Sequence, residues 1–154
     1  MTTENKHIVL LEQLLHQSRQ DKLMYLNTAD NQDLPLFKRF FNQQAIVRNK
    51  MFNDFNLLLS QLNVDVDAIM VKRSDIRQFM VTTPKREKNN PFNRCLKQDL
   101  LLKKQLEALL AIDKIEANHE IYHKQLVKIK QSIATNELHG VDVKYNAVTR
   151  HDLV

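Results

Sequence analysis

Residues 35–62 read PLFKRFFNQQAIVRNKMFNDFNLLLSQL. Apolar side chains fall at Phe37, Phe41, Ala45, Phe52, Phe55, Leu59 and Leu62, flanked by Phe40, Val47, Met51 and Leu58. Recurrence at three and four residues places them on one face of a 3.6-residue helix. Pro35 suits the first turn, where a missing N–H costs nothing. The stretch predicts a helix roughly 40 Å long. Arg48 lies in the same stripe, between Ala45 and Phe52.

Upstream, a second stripe through Ile8, Leu11, Leu15, Ser18, Lys22 and Tyr25 predicts a helix from about Asn5 to Asn27. Thr28 to Asn31 reads as the turn, and Asp33 as the N-cap of the following helix. Downstream, residues 63–90 are the least regular part of the chain. Val64, Val66, Ile69, Met70, Ile76, Phe79 and Met80 suggest a short amphipathic helix, and 82–90 is a charged loop. A third helix is predicted from Pro91 to Ile112 through Leu96, Leu102, Leu106 and Leu109. A fourth begins near Asp113, taken as N-cap with Glu116 at N3, and runs through Ile115, Tyr122, Leu126, Ile129 and Ile133.

Two helical hairpins with short turns are thus joined by a connection long enough to run the height of a bundle. The pattern predicts an all-α fold: a ferritin-like four-helix bundle over residues 1–135, with a long crossover between helices 2 and 3 at about 63–90. A plain up-down-up-down bundle with a loose loop is the alternative; the crossover is preferred because Val66 to Met80 is apolar enough to want burial. Residues 136–154 read as a C-terminal tail, not an independent domain.

Composition agrees. Among 154 residues there are one glycine and three prolines, too few for the turns, bulges and phosphate loops of sheet proteins and Rossmann enzymes. The single cysteine excludes an intramolecular disulfide and suits a reducing cytoplasm. The polar start, Met1 to Lys6, does not read as a signal peptide, and no apolar run approaches the roughly 20 residues that cross a bilayer. These features predict a cytoplasmic protein with no membrane partner. A net charge of +5 is spread over several elements and interleaved with acids, which argues against a nucleic-acid platform.

The stretch LPLFKRFFNQQ opening helix 2, and NRCLKQD, in which Cys95 precedes Asp99 by four residues, resemble a bacterial ferritin-like four-helix-bundle family known only as a domain of unknown function. The resemblance covers the hairpin Ile8 to Leu62, the crossover, and the hairpin from Pro91 to Ile133. It implies a compact four-helix unit that oligomerises, and it brings no established reaction.

A ferritin-type di-iron centre needs a glutamate from each of two helices and Glu-x-x-His from each of the other two. Helix 4 supplies Glu116-Ala-Asn-His119 and Glu120-Ile-Tyr-His123, but residues 43–49 of helix 2 hold neither glutamate nor histidine. What remains is a partial mononuclear or degenerate site. Glu116, His119, His123 and Asp99 are its candidate ligands, of types that suit iron or zinc. The plainer reading is a hydrogen-bonded core His119 with Glu116 and His123 in solvent. His119-Glu-Ile-Tyr-His123 also spells a zinc-protease motif, without the third ligand or edge strand that chemistry requires. Arg48 is a candidate for a buried ion pair with an acid such as Asp21 or Asp99. Cys95 reads as a buried, unreactive thiol.

No catalytic constellation is complete. The sequence therefore favours a non-catalytic bundle with no cofactor, acting by association with itself or another protein. A metal-binding ferritin-like protein is the alternative, and non-specific nucleic-acid contact a weaker one.

Overall fold

In the computed structural model the backbone is described for residues 3–68 and 90–153, and the side chains for 5–68 and 90–140. The described residues form no strand; their long elements are four helices. These are α1 (Thr3–Asp30), α2 (Pro35–Gln61), α3 (Pro91–Ile112) and α4 (Glu116–Leu153). Most of the predicted crossover lies outside the described residues.

Buried positions recur with a regular alternation of three and four. They are Leu11, Leu14, Ser18, Asp21, Tyr25 and Thr28 on α1, and Phe41, Gln44, Arg48, Met51, Phe55 and Leu58 on α2. On α3 they are Phe92, Cys95, Asp99, Leu102, Leu106 and Leu109. On α4 they are Asn118, Tyr122, Gln125, Ile129, Ser132 and Asn136. This is the heptad spacing that lets neighbouring helices interdigitate at a shallow angle. On α1 the phase puts Asp21, not the expected Lys22, into the interior; Lys22 instead reaches Asn49 of α2.

Helix α1 packs on α2 and α3, and α4 packs on α3 and α2. His7 near the start of α1 meets Asp113 after the end of α3, while Thr28 near the end of α1 meets Arg94 in the first turns of α3. These two helices are therefore antiparallel. Phe37, near the start of α2, touches Phe92, near the start of α3, and also His139 of α4. At the other end of that helix Asp54 meets Gln125, so α2 and α4 are antiparallel as well.

The ends of the helices follow local chemistry, and several differ from expectation. Helix α1 runs from Thr3 to Asp30, through most of the stretch Thr28 to Asn31 expected as its turn. Leu34, not Asp33, is the N-cap of α2, because Pro35 forces the residue before it into an extended conformation. Asp113 closes α3 as its C-cap, and α4 starts only at Glu116. The expected capping box does not form. Helix α4 also continues to Leu153, past the boundary expected at Asn136. Gly140 lies inside that helix with no positive φ. A Cβ there would meet the side-chain oxygen of Asn93, which has to swing aside to make room, and would touch Phe92 at ordinary contact distance. At the C-terminus of α2, Asn63 takes the left-handed conformation (φ 61°). The N–H of Val64 donates to the Leu59 carbonyl and that of Asn63 to the Ser60 carbonyl, each at 3.0 Å, which is a Schellman closure. Val64 and Val66 then pack against the main apolar cluster.

Candidate functional site

The apolar interior comes in two pieces. The larger joins Leu11, Leu14, Met51, Phe55, Leu102, Leu106, Tyr122, Ile129 and their neighbours. The smaller joins Tyr25, Ala29, Phe41, Ala45, Phe92 and Cys95, with Phe37 and Phe40 at its edge. Between them, at core positions of all four helices, lies a layer of polar side chains.

Arg48 and Asp99 form the centre of that layer, both fully enclosed. Arg48 Nη2 donates to Asp99 Oδ1 at 2.5 Å, and Nη1 donates to Gln44 Oε1 at 3.1 Å. The other carboxylate oxygen, Oδ2, accepts from Tyr25 OH at 2.8 Å, Ser132 Oγ at 2.5 Å and Asn136 Nδ2 at 3.0 Å. The guanidinium carbon stands 4.9 Å from the centre of the Tyr25 ring, within cation–π range. Each helix contributes at least one member, so the layer fixes the relative rotation and height of all four. Two charges in such surroundings are tolerable only when paired and hydrogen-bonded. Burial by itself lowers the Arg48 pKa, but the neighbouring acidic groups, Asp99 foremost, outweigh it and hold the proton more tightly than usual. Burial, with Asp99 second, pushes the Tyr25 hydroxyl well above the ordinary phenol range.

Asp21 sits beside this pair at 1% exposure. Its Oδ1 accepts from Gln17 Nε2 at 2.8 Å, while Oδ2 has no hydrogen-bond partner. Burial raises its pKa to about 7, although the nearby Arg48 charge works in the opposite direction. Of the two acids expected as partners for Arg48, Asp99 makes the ion pair and Asp21 does not. Cys95 is buried as expected, its thiol pushed up to about 12 by burial first and Asp99 second. It has the character of a core side chain, not a nucleophile.

A second cluster closes the opposite end. Asp113 Oδ1 accepts from the N–H of Ile115 at 3.0 Å, and Oδ2 accepts from Tyr122 OH at 2.6 Å and Asn118 Nδ2 at 2.9 Å. His7 Nε2 lies 3.1 Å from Oδ2. Burial works to raise the Asp113 pKa, but the bonds from Tyr122, Ile115 and Asn118 and the nearby His7 together hold it below the usual carboxylate value. Burial, then the bond to Asp113, pushes the Tyr122 hydroxyl upward.

The four candidate metal ligands are not brought together. Asp99 is committed to Arg48 and to Ser132 and Asn136, which lie about 20–25 Å further along α4 than His119. His119 is half-buried and bonds the Asp113 carbonyl through Nε2. Glu116 and His123 are exposed. Among the described residues no three His, Cys, Asp or Glu side chains gather as a metal site. None of their helices is long and apolar enough to cross a membrane.

Sequence reasoning found Arg48, Asp99 and Asp21 but missed Gln44, Ser132 and Asn136. The missing signal was available in the heptad phase: extending the stripe Tyr122, Ile129 by three and seven residues lands on Ser132 and Asn136. A search for apolar stripes passes over polar residues at such positions. No family model, no curated protein and no solved structure matches the chain.

Proposed function

We propose that the chain is a ferritin-like four-helix bundle with no catalytic role, which works by associating with a second copy of itself through the end of α4. The observation that carries this reading is the length of α4. It passes α3 at Gly140 and then continues as helix for about 13 residues, roughly 20 Å. In sequence, Leu138, Val141, Tyr145 and Val148 recur at heptad spacing along that segment, the pattern of a helix that docks on another. Leu138 is 56% exposed where the segment begins. Leu34 and Leu36 are 57% and 66% exposed at the start of α2, the end where Phe37 meets His139.

The ferritin-like topology is supported by the helix directions. Helices α2 and α3 begin at the same end, so a chain leaving α2 at Leu62 has to return the length of that helix to enter α3 at Pro91. The family resemblance of LPLFKRFFNQQ and NRCLKQD points the same way. The non-catalytic reading is supported by the Arg48–Asp99 layer, whose polar groups are enclosed and directed at one another.

Sedimentation velocity on the full chain, on a chain stopped after Gly140, and on Tyr145→Arg tests this reading. Concentration-dependent association is expected for the full chain alone. A full chain that sediments as a monomer at every concentration overturns the proposal.

A further inference from the structure

The Arg48–Asp99 pair has a third party whose role the packing leaves unused. Asp21 reaches the same enclosed layer from α1, and each helix packed against it presents a definable group. Helix α2 presents the Arg48 guanidinium, and α3 presents the Asp99 carboxylate and the Cys95 thiol. Helix α4 closes the layer with the uncharged Ser132 and Asn136, and α1 itself adds Gln17 and the Tyr25 hydroxyl. The Nη atoms of Arg48 are committed to Asp99, Gln44 and Ser132, while its Nε has no hydrogen-bond partner. Asp21 therefore has one amide donor on one oxygen and nothing on the other.

We propose that Asp21 is a proton-binding latch: protonated, it leaves Arg48 wholly to Asp99, and ionised, it competes with Asp99 for the one guanidinium that ties α2 to α3 and α4.

The physical basis is that two enclosed carboxylates share one cation. A second negative charge in the layer faces the first across a region of low polarisability, where a buried oxygen without donors is strongly disfavoured as an anion. Neutral Asp21 needs only the Gln17 bond it already has. Ionised Asp21 gains from drawing Arg48 towards it, the Nε–H being the donor still without a partner, and a guanidinium displaced that way strains its contact to Asp99 Oδ1. The raised Asp21 pKa is consistent with this arrangement and places the change near neutrality. The sign follows: the folded chain holds a proton that the unfolded chain has already released, so stability falls as pH rises from the ordinary aspartate range towards neutrality.

Carbon-13 NMR of the full-length protein tests the latch directly. The Asp21 carboxyl carbon is expected to titrate near neutrality, and the Arg48 Nε–H resonance to move with the same midpoint. Titration of Asp21 in the ordinary carboxylate range, or an Arg48 signal that does not follow it, overturns the proposal. Urea unfolding of the wild type and Asp21→Asn at pH 5 and pH 8 supplies an independent reading. The ratio of unfolding constants, wild type over variant, is expected to rise by about tenfold or more between the two pH values; a ratio independent of pH overturns it. Should Asp21→Asn fail to fold, the carboxyl and guanidinium titrations of the wild type decide alone.

Discussion

The Arg48 layer and the Asp113 corner are built from similar parts, yet they hold their carboxylates in opposite ways. Each centres on an aspartate that accepts from a tyrosine hydroxyl and an asparagine amide. At the corner, a backbone N–H completes a set of three donors around one carboxylate with His7 nearby, and together these overcome burial and lower its pKa. In the layer the donors go to Asp99; burial raises the Asp21 pKa to about 7, and the Arg48 charge and the single Gln17 bond do not offset it. The lesson is that burial alone does not decide the charge of an aspartate. Burial pushes both carboxyls upward, and the hydrogen bonds and charges around each decide whether that push is overcome.

Breaking the layer is expected to produce the largest effect. Arg48→Met removes the counter-ion and leaves Asp99 enclosed among groups that cannot neutralise it. Loss of one partner of a buried pair costs roughly 3–5 kcal/mol, to be read by urea denaturation at pH 7. Adding Asp99→Asn is expected to recover part of that loss, because no unpaired charge remains. A double variant less stable than Arg48→Met would show that Asp99 is held mainly by its tyrosine, serine and asparagine donors.

At the corner, Asp113→Ala removes one acceptor and strands the Tyr122 hydroxyl, the Asn118 amide and the Ile115 N–H. Water reaches this end of the helices more readily than the layer, so the expected loss is smaller, roughly 1–3 kcal/mol. The pH dependence separates the two regions further. Asp113 has a lowered folded pKa, so its contribution is present above the unfolded value of 3.8 and disappears as pH falls through the folded one. Asp21 has a raised folded pKa, so its penalty appears as pH rises from 3.8 towards about 7. Stability measured from pH 3 to 8 should therefore rise and then decline. Asp113→Asn flattens the acid limb and leaves the neutral limb in place.

Much of the helical framework was legible from residue spacing alone. Pro91–Ile112 matches its expected bounds, and α2 ends within a residue of expectation, because proline, polar caps and apolar stripes act locally. The N-cap of α2 was misplaced for a local reason, Pro35; the misplacements within the bundle arose where the deciding partner was distant. Lys22 and Asp21 are neighbours in sequence, and only the arrival of Arg48 and Asp99 from other helices settles which one turns inward. Asp113 looked like an N-cap because it precedes a helix. In three dimensions it finishes α3 and collects His7 from the far end of the chain. The metal-ligand set Glu116, His119, His123 and Asp99 drew on helical spacing within α4. Spacing within one helix carries no information on height along its neighbour, and Asp99 proved to be level with Ser132.

The helix ends provide a smaller perturbation that touches neither cluster. Asn63 holds a left-handed conformation that closes α2 and turns the chain so that Val64 and Val66 reach the core. Asparagine tolerates that conformation better than most residues, but glycine does so without strain. Asn63→Gly is expected to be neutral or to stabilise slightly, and Asn63→Ala to cost about 1 kcal/mol, measured by thermal unfolding.

The smallest effect is expected where the sequence placed its metal candidates. Glu116 and His123 are exposed on α4, and neither is one of the Asp113 donors or part of the polar layer. Neither supports a buried partner, so Glu116→Gln and His123→Ala should each change stability by less than about 0.5 kcal/mol. Adding a chelator should not move the unfolding midpoint of the wild type. His119→Ala differs from both, because its ring bonds the Asp113 carbonyl and lies against Tyr122. It should therefore destabilise measurably even with chelator present. If His119→Ala and His123→Ala instead produced equal losses, and a chelator abolished both, these side chains would be acting together as ligands, and the contrast between a solvent-facing stripe and a structural corner would fail.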